Sequence, residues 1–238
     1  MHAEKYYNWS PYAYCKDNQI NAVDPDGRLV IFINGNFFGK AEGRSVKYWG
    51  GYGGFSAKIM DYLHDHNWEY IDGSLGGWAP FRQVGMSSMN RTLAGYDQGV
   101  EDAPSILAQI TDKNRNITET IKIITHSMGS AFAKGYVRAL LAYAHKIGIT
   151  TPFIAFEADF APYQSDQQIA VSDPLMGPTL QYSHNNDIWA GNKPEQGAEQ
   201  EDTSKDKNQT HYIYDFMQQI ESLPAGKYKI VDGKIVPY

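Results

Sequence analysis

"ETIKIITHSMGSAFAKGYVRALLAYAHK", residues 119–146, is the stretch whose reading decides the fold. It opens on a β-branched run around Ile121, Ile123 and Ile124, and it reaches Ser127 between His126 and Met128. Gly129 and the small residues Ser130, Ala131 and Ala133 follow. From there Phe132, Tyr136, Val137, Leu140, Leu141 and Ala144 recur at the i, i+4 spacing of a buried helical stripe. The pattern predicts a strand, a sharp turn holding Ser127, and a long helix. A serine at such a place has two readings. It can cap the helix, as serine commonly does. It can also be a nucleophile presented beyond the end of a sheet, which crowds the backbone and calls for small residues two positions away on each side. Gly129 meets that requirement after the serine, whereas Thr125 stands where glycine is usual before it. The strand before, the helix after and the small Ala131 and Ala133 favour the nucleophile.

Outward from this stretch, strands and helices alternate. "RLVIFINGN" reads as a buried strand ending in a turn, and "GGFSAKIMDYLHDHN" as a helix with Phe55, Ile59, Tyr62 and Leu63 on one face. "WEYI" reads as a short strand, and "DQGVEDAPSILAQITD" as helical after Pro104. "PFIAFEAD" and "TLQYSH" read as strands, "THYIYDFMQQIESL" as a last helix, and "KYKIVDGKIVPY" as a hairpin turning at Asp232-Gly233. This alternation predicts an α/β protein, with a mostly parallel central sheet and helices on both faces. Residues 191–210 are polar, charged and without apolar period, which predicts a mobile surface loop. Residues 39–54 combine glycine with aromatic side chains and suit either a flexible rim over a pocket or a plain long loop.

Composition narrows the function. With 238 residues there is room for one sizeable domain with a real core. The single cysteine, Cys15, leaves no intramolecular disulfide and no cysteine-rich metal site. A formal charge of −6 and the absence of a basic stripe argue against nucleic acid as a partner. No apolar run approaches the ~18–20 residues that span a bilayer, and "MHAEKYYNWS" is not a signal peptide. If a protein of this kind acts outside its cell, another route or a larger carrier is expected to take it there.

If Ser127 is a nucleophile, it needs a base, an acid and an oxyanion hole. Among seven histidines, His211 is the best placed base, because it ends the polar stretch and opens an amphipathic segment; His184 is the alternative. His126 adjoins the serine, but at such a turn its side chain should point away from the serine oxygen. The acid should close a strand between Ser127 and the histidine. Asp187, after "TLQYSHNN", is the first choice and Asp159, after "PFIAFEA", the alternative. One oxyanion donor should be the N–H of Met128. The other should come from the turn after the first strand, at Asn36 or Phe37, where Gly35 lets the backbone approach closely. The set requires no metal and no cofactor. Trp49, Tyr52, Phe55, Trp78 and Phe81 suit either an acyl groove or the core.

Two resemblances bear on this. "IITHSMG" and "VIFINGNFFG" resemble the α/β-hydrolase lipase and esterase family, over roughly residues 28–220. The resemblance implies a Ser-His-Asp triad, with a lipid or phospholipid ester as substrate and peripheral contact with a membrane. Asn34-Gly35 stands where such lipases often have His-Gly. "SPYAYCKDNQINAVDPDGR", residues 10–28, resembles the end of the core associated with RHS repeats, the large secreted shells that carry variable C-terminal toxins. That implies a boundary, with 1–27 a remnant of the RHS core and 28–238 the payload. It further implies an antibacterial effector delivered into a rival bacterium, with type VI secretion as the route the resemblance suggests, to act at its membrane or periplasm, and opposed by a cognate immunity protein. The alternatives are the same triad acting on peptide, amide or thioester bonds, and a payload that binds without catalysis.

Overall fold

A computed structural model describes residues 29–35, 47–50, 53–74, 88–184, 187, 189–190, 193–202, 210–224, 228–231 and 234–237. Residues 1–28, and with them the RHS-like stretch and Cys15, lie outside this set.

Among the described residues six strands form one sheet. They are β1 (Leu29–Asn34), β2 (Asn67–Asp72), β3 (Ile121–His126), β4 (Ile154–Phe160), β5 (Thr179–Ser183) and β6 (Glu199–Asp202). Their spatial order is β2-β1-β3-β4-β5-β6, and every neighbouring pair is parallel. The central strands are buried along their whole length, as parallel strands covered on both faces should be. Alternate residues divide between two cores. Leu29, Ile31, Ile33, Ile121 and Ile123 pack under α2 (Ser88–Gln109) and α3 (Gly129–Lys146). Val30, Phe32, Ile124 and Phe156 pack on the other face under α1 (Phe55–Leu63) and two short 3-10 helices at Ile213–Phe216 and Gln219–Ser222. Each large apolar side chain so buried contributes about 1.5–3 kcal/mol. The fold is α/β, and its parallel strand order with the first crossover reversing at β1 is of the α/β-hydrolase type. β7 (Tyr228–Val231) and β8 (Lys234–Pro237) pair antiparallel, and Asp232 and Gly233, expected at their turn, lie outside the described residues.

Three expectations need correction. α2 begins at Ser88, well before Pro104, and runs through that proline for 22 residues. The polar stretch 191–210 is not wholly a loop, since residues 199–202 add β6 to the sheet edge and Glu195 is buried. A short polar strand is what an edge position tolerates. The last helix is two 3-10 turns. Ile213 and Phe216 are buried in the first, and Ile220 and Leu223 are buried in and just after the second. In both pairs the separation is three residues, the repeat of a 3-10 helix rather than an α-helix. Trp49 and Phe55 belong to the core, stacked on one another with ring centroids 6.1 Å apart; Tyr52, Trp78 and Phe81 lie outside the described residues.

Candidate active site

The site grows from the end of β3. Ser127 takes φ 58°, a left-handed conformation that a side chain normally avoids. Holding a non-glycine residue there costs on the order of 1–3 kcal/mol, so its surroundings must over-determine it. They do. Its N–H donates to the Phe160 carbonyl at 2.9 Å, and its carbonyl accepts from Tyr163 N–H at 3.1 Å and from the Ser130 hydroxyl at 3.0 Å. The next residue, Met128, is the N-cap of α3 and bears no side-chain cap. Ser127 is therefore a sharp strand-to-helix elbow rather than a helix cap.

The small neighbours have measurable reasons. A Cβ on Gly129 would lie 2.4 Å from the Ile33 carbonyl oxygen, and one on Gly35 would lie 2.7 Å from Ser127 Cβ. The turn after β1 is thus pressed directly against the serine. Thr125 is tolerated where glycine is usual because its buried hydroxyl turns to the Asp159 carboxylate. Asn34 Nδ2 braces the same turn from beneath, donating to Asp72 Oδ1 at 3.2 Å and to the Gly35 carbonyl at 2.6 Å.

Three of the sequence candidates meet here. Ser127 Oγ lies 2.7 Å from His211 Nε2, and His211 Nδ1 lies 2.7 Å from Asp187 Oδ2. The carboxylate claims the Nδ1–H, which leaves Nε2 as the acceptor for the serine proton. Asp187 Oδ1 accepts from the N–H groups of Trp189 and Ala190 at 2.8 and 2.9 Å. Burial works to raise the Asp187 carboxyl, but these bonds and His211 together hold it below the usual carboxylate range. Ser127 is 5 % exposed, while the His211 side chain keeps 21 % of its surface, so the site opens to solvent at the histidine.

The other candidates fall elsewhere. His184 is fully buried and stacks on Phe216, with centroids 3.8 Å apart. Asp159 sits deeper on β4, in an ion cluster around Lys134 of α3. Lys134 Nζ lies 2.5 Å from Asp159 Oδ2, 3.0 Å from Glu157 Oε1 and 2.8 Å from Glu195 Oε1. The two aspartates have different tasks: Asp159, on β4, turns its side chain to Lys134 on the α3 face and cannot also serve a histidine at the sheet's end, whereas Asp187 lies beyond β5. Met128 is the residue after the serine and the N-cap of α3, and Asn36 and Phe37 lie outside the described residues. Among the described residues no helix is long and apolar enough to cross a membrane.

The Lys134 cluster has its own pH signature. Burial raises Glu157 to about 7 and Glu195 to about 8, although Lys134 opposes the rise. The three carboxylates in turn outweigh burial and keep the lysine protonated. A carboxyl whose folded pKa exceeds its unfolded one takes up a proton on folding, so its stabilising effect is full in acid and disappears as pH rises through the folded value. From this cluster the protein should lose stability between about pH 5 and about pH 8. Asp187, held low, acts in the opposite sense but only in stronger acid. Buried His126, held at about 3 against an ordinary 6.5, acts in the opposite sense up to about pH 6.5, so melting temperatures should fall in the wild type between about pH 6.5 and about pH 8 and fall less in Glu195→Gln; equal slopes there would contradict this account.

Comparisons with known proteins add little to the geometry. No protein-family model matches the chain, and no curated protein matches it. Among solved structures it is similar to a candidate YdeN-like hydrolase from Pectobacterium atrosepticum. The two share 13 % identity, with a TM-score of 0.40 over 87 % of this chain and 95 % of the other. A likeness at that level leaves the chemistry to be argued from the residues themselves.

Proposed function

We propose that the chain is a serine hydrolase that cleaves ester bonds, with lipid or phospholipid as the substrate class. The observation that carries this reading is the continuous line from Ser127 Oγ through the His211 ring to Asp187, two bonds of 2.7 Å each, starting from a serine held at φ 58°. In the proposed reaction His211 Nε2 takes the proton as Ser127 Oγ attacks the carbonyl carbon. The tetrahedral oxyanion accepts from the Met128 N–H at the start of α3, with a second donor in the turn after β1, Asn36 in our assignment. Collapse expels the alcohol, which takes the proton from His211. Water, activated by the same histidine, then releases the acid from the acyl-serine. Asp187 fixes the histidine tautomer and stabilises the imidazolium. No metal or cofactor takes part in these steps.

The lipid assignment draws on the rim. Trp189, Tyr212 and Tyr214 are 62 %, 72 % and 47 % exposed, and they adjoin Asp187 and His211 in the chain. Exposed tryptophan and tyrosine suit a boundary that is apolar on one side and wet on the other. The resemblance at residues 10–28 adds the proposal that this activity is the payload of an RHS carrier, toxic to a rival cell and neutralised by an immunity protein.

The test is labelling of Ser127 by a fluorophosphonate probe, followed by turnover on phospholipid vesicles against a panel of peptides. Labelling with vesicle hydrolysis supports the reading, hydrolysis of peptides alone would replace the substrate class, and an unlabelled Ser127 would overturn the mechanism. His211→Ala should reduce turnover about as severely as loss of the serine, since members of a catalytic unit are not additive. His184→Ala should affect chiefly stability, through its lost stacking on Phe216. Turnover of the two purified variants checks the assignment, and the reverse order would shift the base to His184.

A further inference from the structure

His211 lies outside regular secondary structure, just before the 3-10 helix at Ile213–Phe216. No ladder of backbone hydrogen bonds therefore fixes its peptide group. Two local devices do. Thr210 anchors the turn through its N–H and hydroxyl to Asp215 Oδ2, each at 2.6 Å. The second device comes from the residue beside the serine: His126 Nε2 lies 2.8 Å from the His211 carbonyl oxygen.

The partners of His126 assign its proton. A carbonyl oxygen can only accept, so Nε2 carries the hydrogen. Burial first, and then the neighbouring His211, push the His126 pKa down to about 3, so the ring is neutral and has a single N–H to give. Its Nδ1 is therefore an acceptor, and the group facing it is the Tyr48 hydroxyl. That hydroxyl in turn accepts from the Gly35 N–H at 3.1 Å. The donors thus run in one direction, from Gly35 N–H to Tyr48, from Tyr48 O–H to His126, and from His126 Nε2–H to His211. The chain joins the turn after β1 to the main chain of the histidine.

We infer that Tyr48 and His126 are positioning residues, the tyrosine hydroxyl fixing the His126 tautomer so that its Nε2–H holds the His211 backbone in register with Ser127. The inference rests on the triad reading proposed above. Without the Tyr48 hydroxyl, His126 gains freedom to carry its proton on Nδ1, which would turn a lone pair toward the His211 carbonyl. The Gly35 N–H loses its acceptor at the same time. A displacement on the order of 1 Å at such a site can cost about 10²-fold in rate.

The experiment uses the full chain with three variants, Tyr48→Phe, His126→Leu and His126→Gln, and reads kcat and KM on a short-chain ester. Tyr48→Phe and His126→Leu should lower kcat by about 10- to 10²-fold with little change in KM. His126→Gln keeps an N–H near the position of Nε2 and should recover part of the loss. A purely structural role would lower the melting temperature without splitting kcat from KM in this way. Imidazole nitrogen NMR supplies a readout independent of turnover: His126 should hold the Nε2–H tautomer in the wild type and in Ser127→Ala, and a mixture in Tyr48→Phe. A wild-type His126 protonated on Nδ1, or unchanged kcat in a folded Tyr48→Phe, would overturn the positioning role while the triad stands. If wild-type Ser127 resists the fluorophosphonate, the triad reading fails and takes the positioning role with it.

Discussion

Ser127→Ala should abolish ester hydrolysis while the protein stays folded. The side chain to be removed is small and holds one hydrogen bond, to His211 Nε2, whereas the elbow is secured by the backbone of residue 127. Those backbone bonds to Phe160 and Tyr163 survive the substitution, and alanine fits the space of serine. The strain at φ 58° remains, because it belongs to any residue with a Cβ. Melting temperature should therefore move little, and a change in rate can be assigned to chemistry. Loss of turnover should be on the order of 10³-fold or more. What activity survives would report the oxyanion donors and substrate binding alone. Turnover of a short-chain ester, together with a melting curve on the same preparation, makes the check. Near-normal turnover by the folded variant would remove Ser127 from the mechanism, and with it the proposed function.

How much of this was legible beforehand depends on whether a feature is written locally. β1, β3 and α3 were, because fully buried parallel strands read as apolar runs and α3 carries a stripe from Phe132 to Ala144. The elbow was, because Gly129 and the small residues after it are adjacent in the chain. The first half of α2 was not. Gly95 and Gly99 lower the helix propensity there, but their cause is tertiary. A Cβ at Gly95 would lie 1.9 Å from the Phe132 carbonyl oxygen, and one at Gly135 would lie 1.8 Å from that of Thr92. The two helices cross backbone to backbone, and glycine is what permits it. β6 was hidden for the opposite reason: an edge strand of Glu and Gln has no apolar signature.

The site divides in the same way. His211 and Asp187 could be singled out by their order after the serine. The place of Tyr48 could not, since it depends on a loop returning from residue 48 to the end of β3, 78 positions along the chain. His126 was expected to turn from the serine oxygen. The structure gives that turn a destination, the carbonyl of His211. No spacing rule predicts a contact of a side chain with main chain 85 residues later. The lost glycine before the serine also has a local cause that only the fold supplies, because Thr125 is held by Asp159.

Asp187→Asn should be the most damaging of the conservative changes, and comparison with Asp159→Asn separates two kinds of buried aspartate. Asp187 Oδ2 accepts the Nδ1–H of His211, and Oδ1 accepts from two backbone N–H groups. Among the described residues, each of these partners is a donor. An asparagine can keep one oxygen for the amides of Trp189 and Ala190, but its NH₂ would then face His211 Nδ1. The imidazole responds by moving its proton to Nε2, and a ring in that state cannot accept from Ser127. The shape of the site is preserved and its proton is in the wrong place, a substitution that in a triad of this kind can cost about 10⁴-fold in turnover. Asp159→Asn acts on different terms. It removes a negative charge from around Lys134 but leaves Glu157 and Glu195 at 3.0 and 2.8 Å from the ammonium. Thr125 keeps an acceptor if the amide oxygen faces it. The cost should appear in the melting temperature, with turnover reduced far less than in Asp187→Asn. Kinetics and melting curves on both variants decide it. A silent Asp187→Asn beside an inactive, folded Asp159→Asn would transfer the acid to β4, and the line drawn from Ser127 through His211 to Asp187 would not be the reacting one.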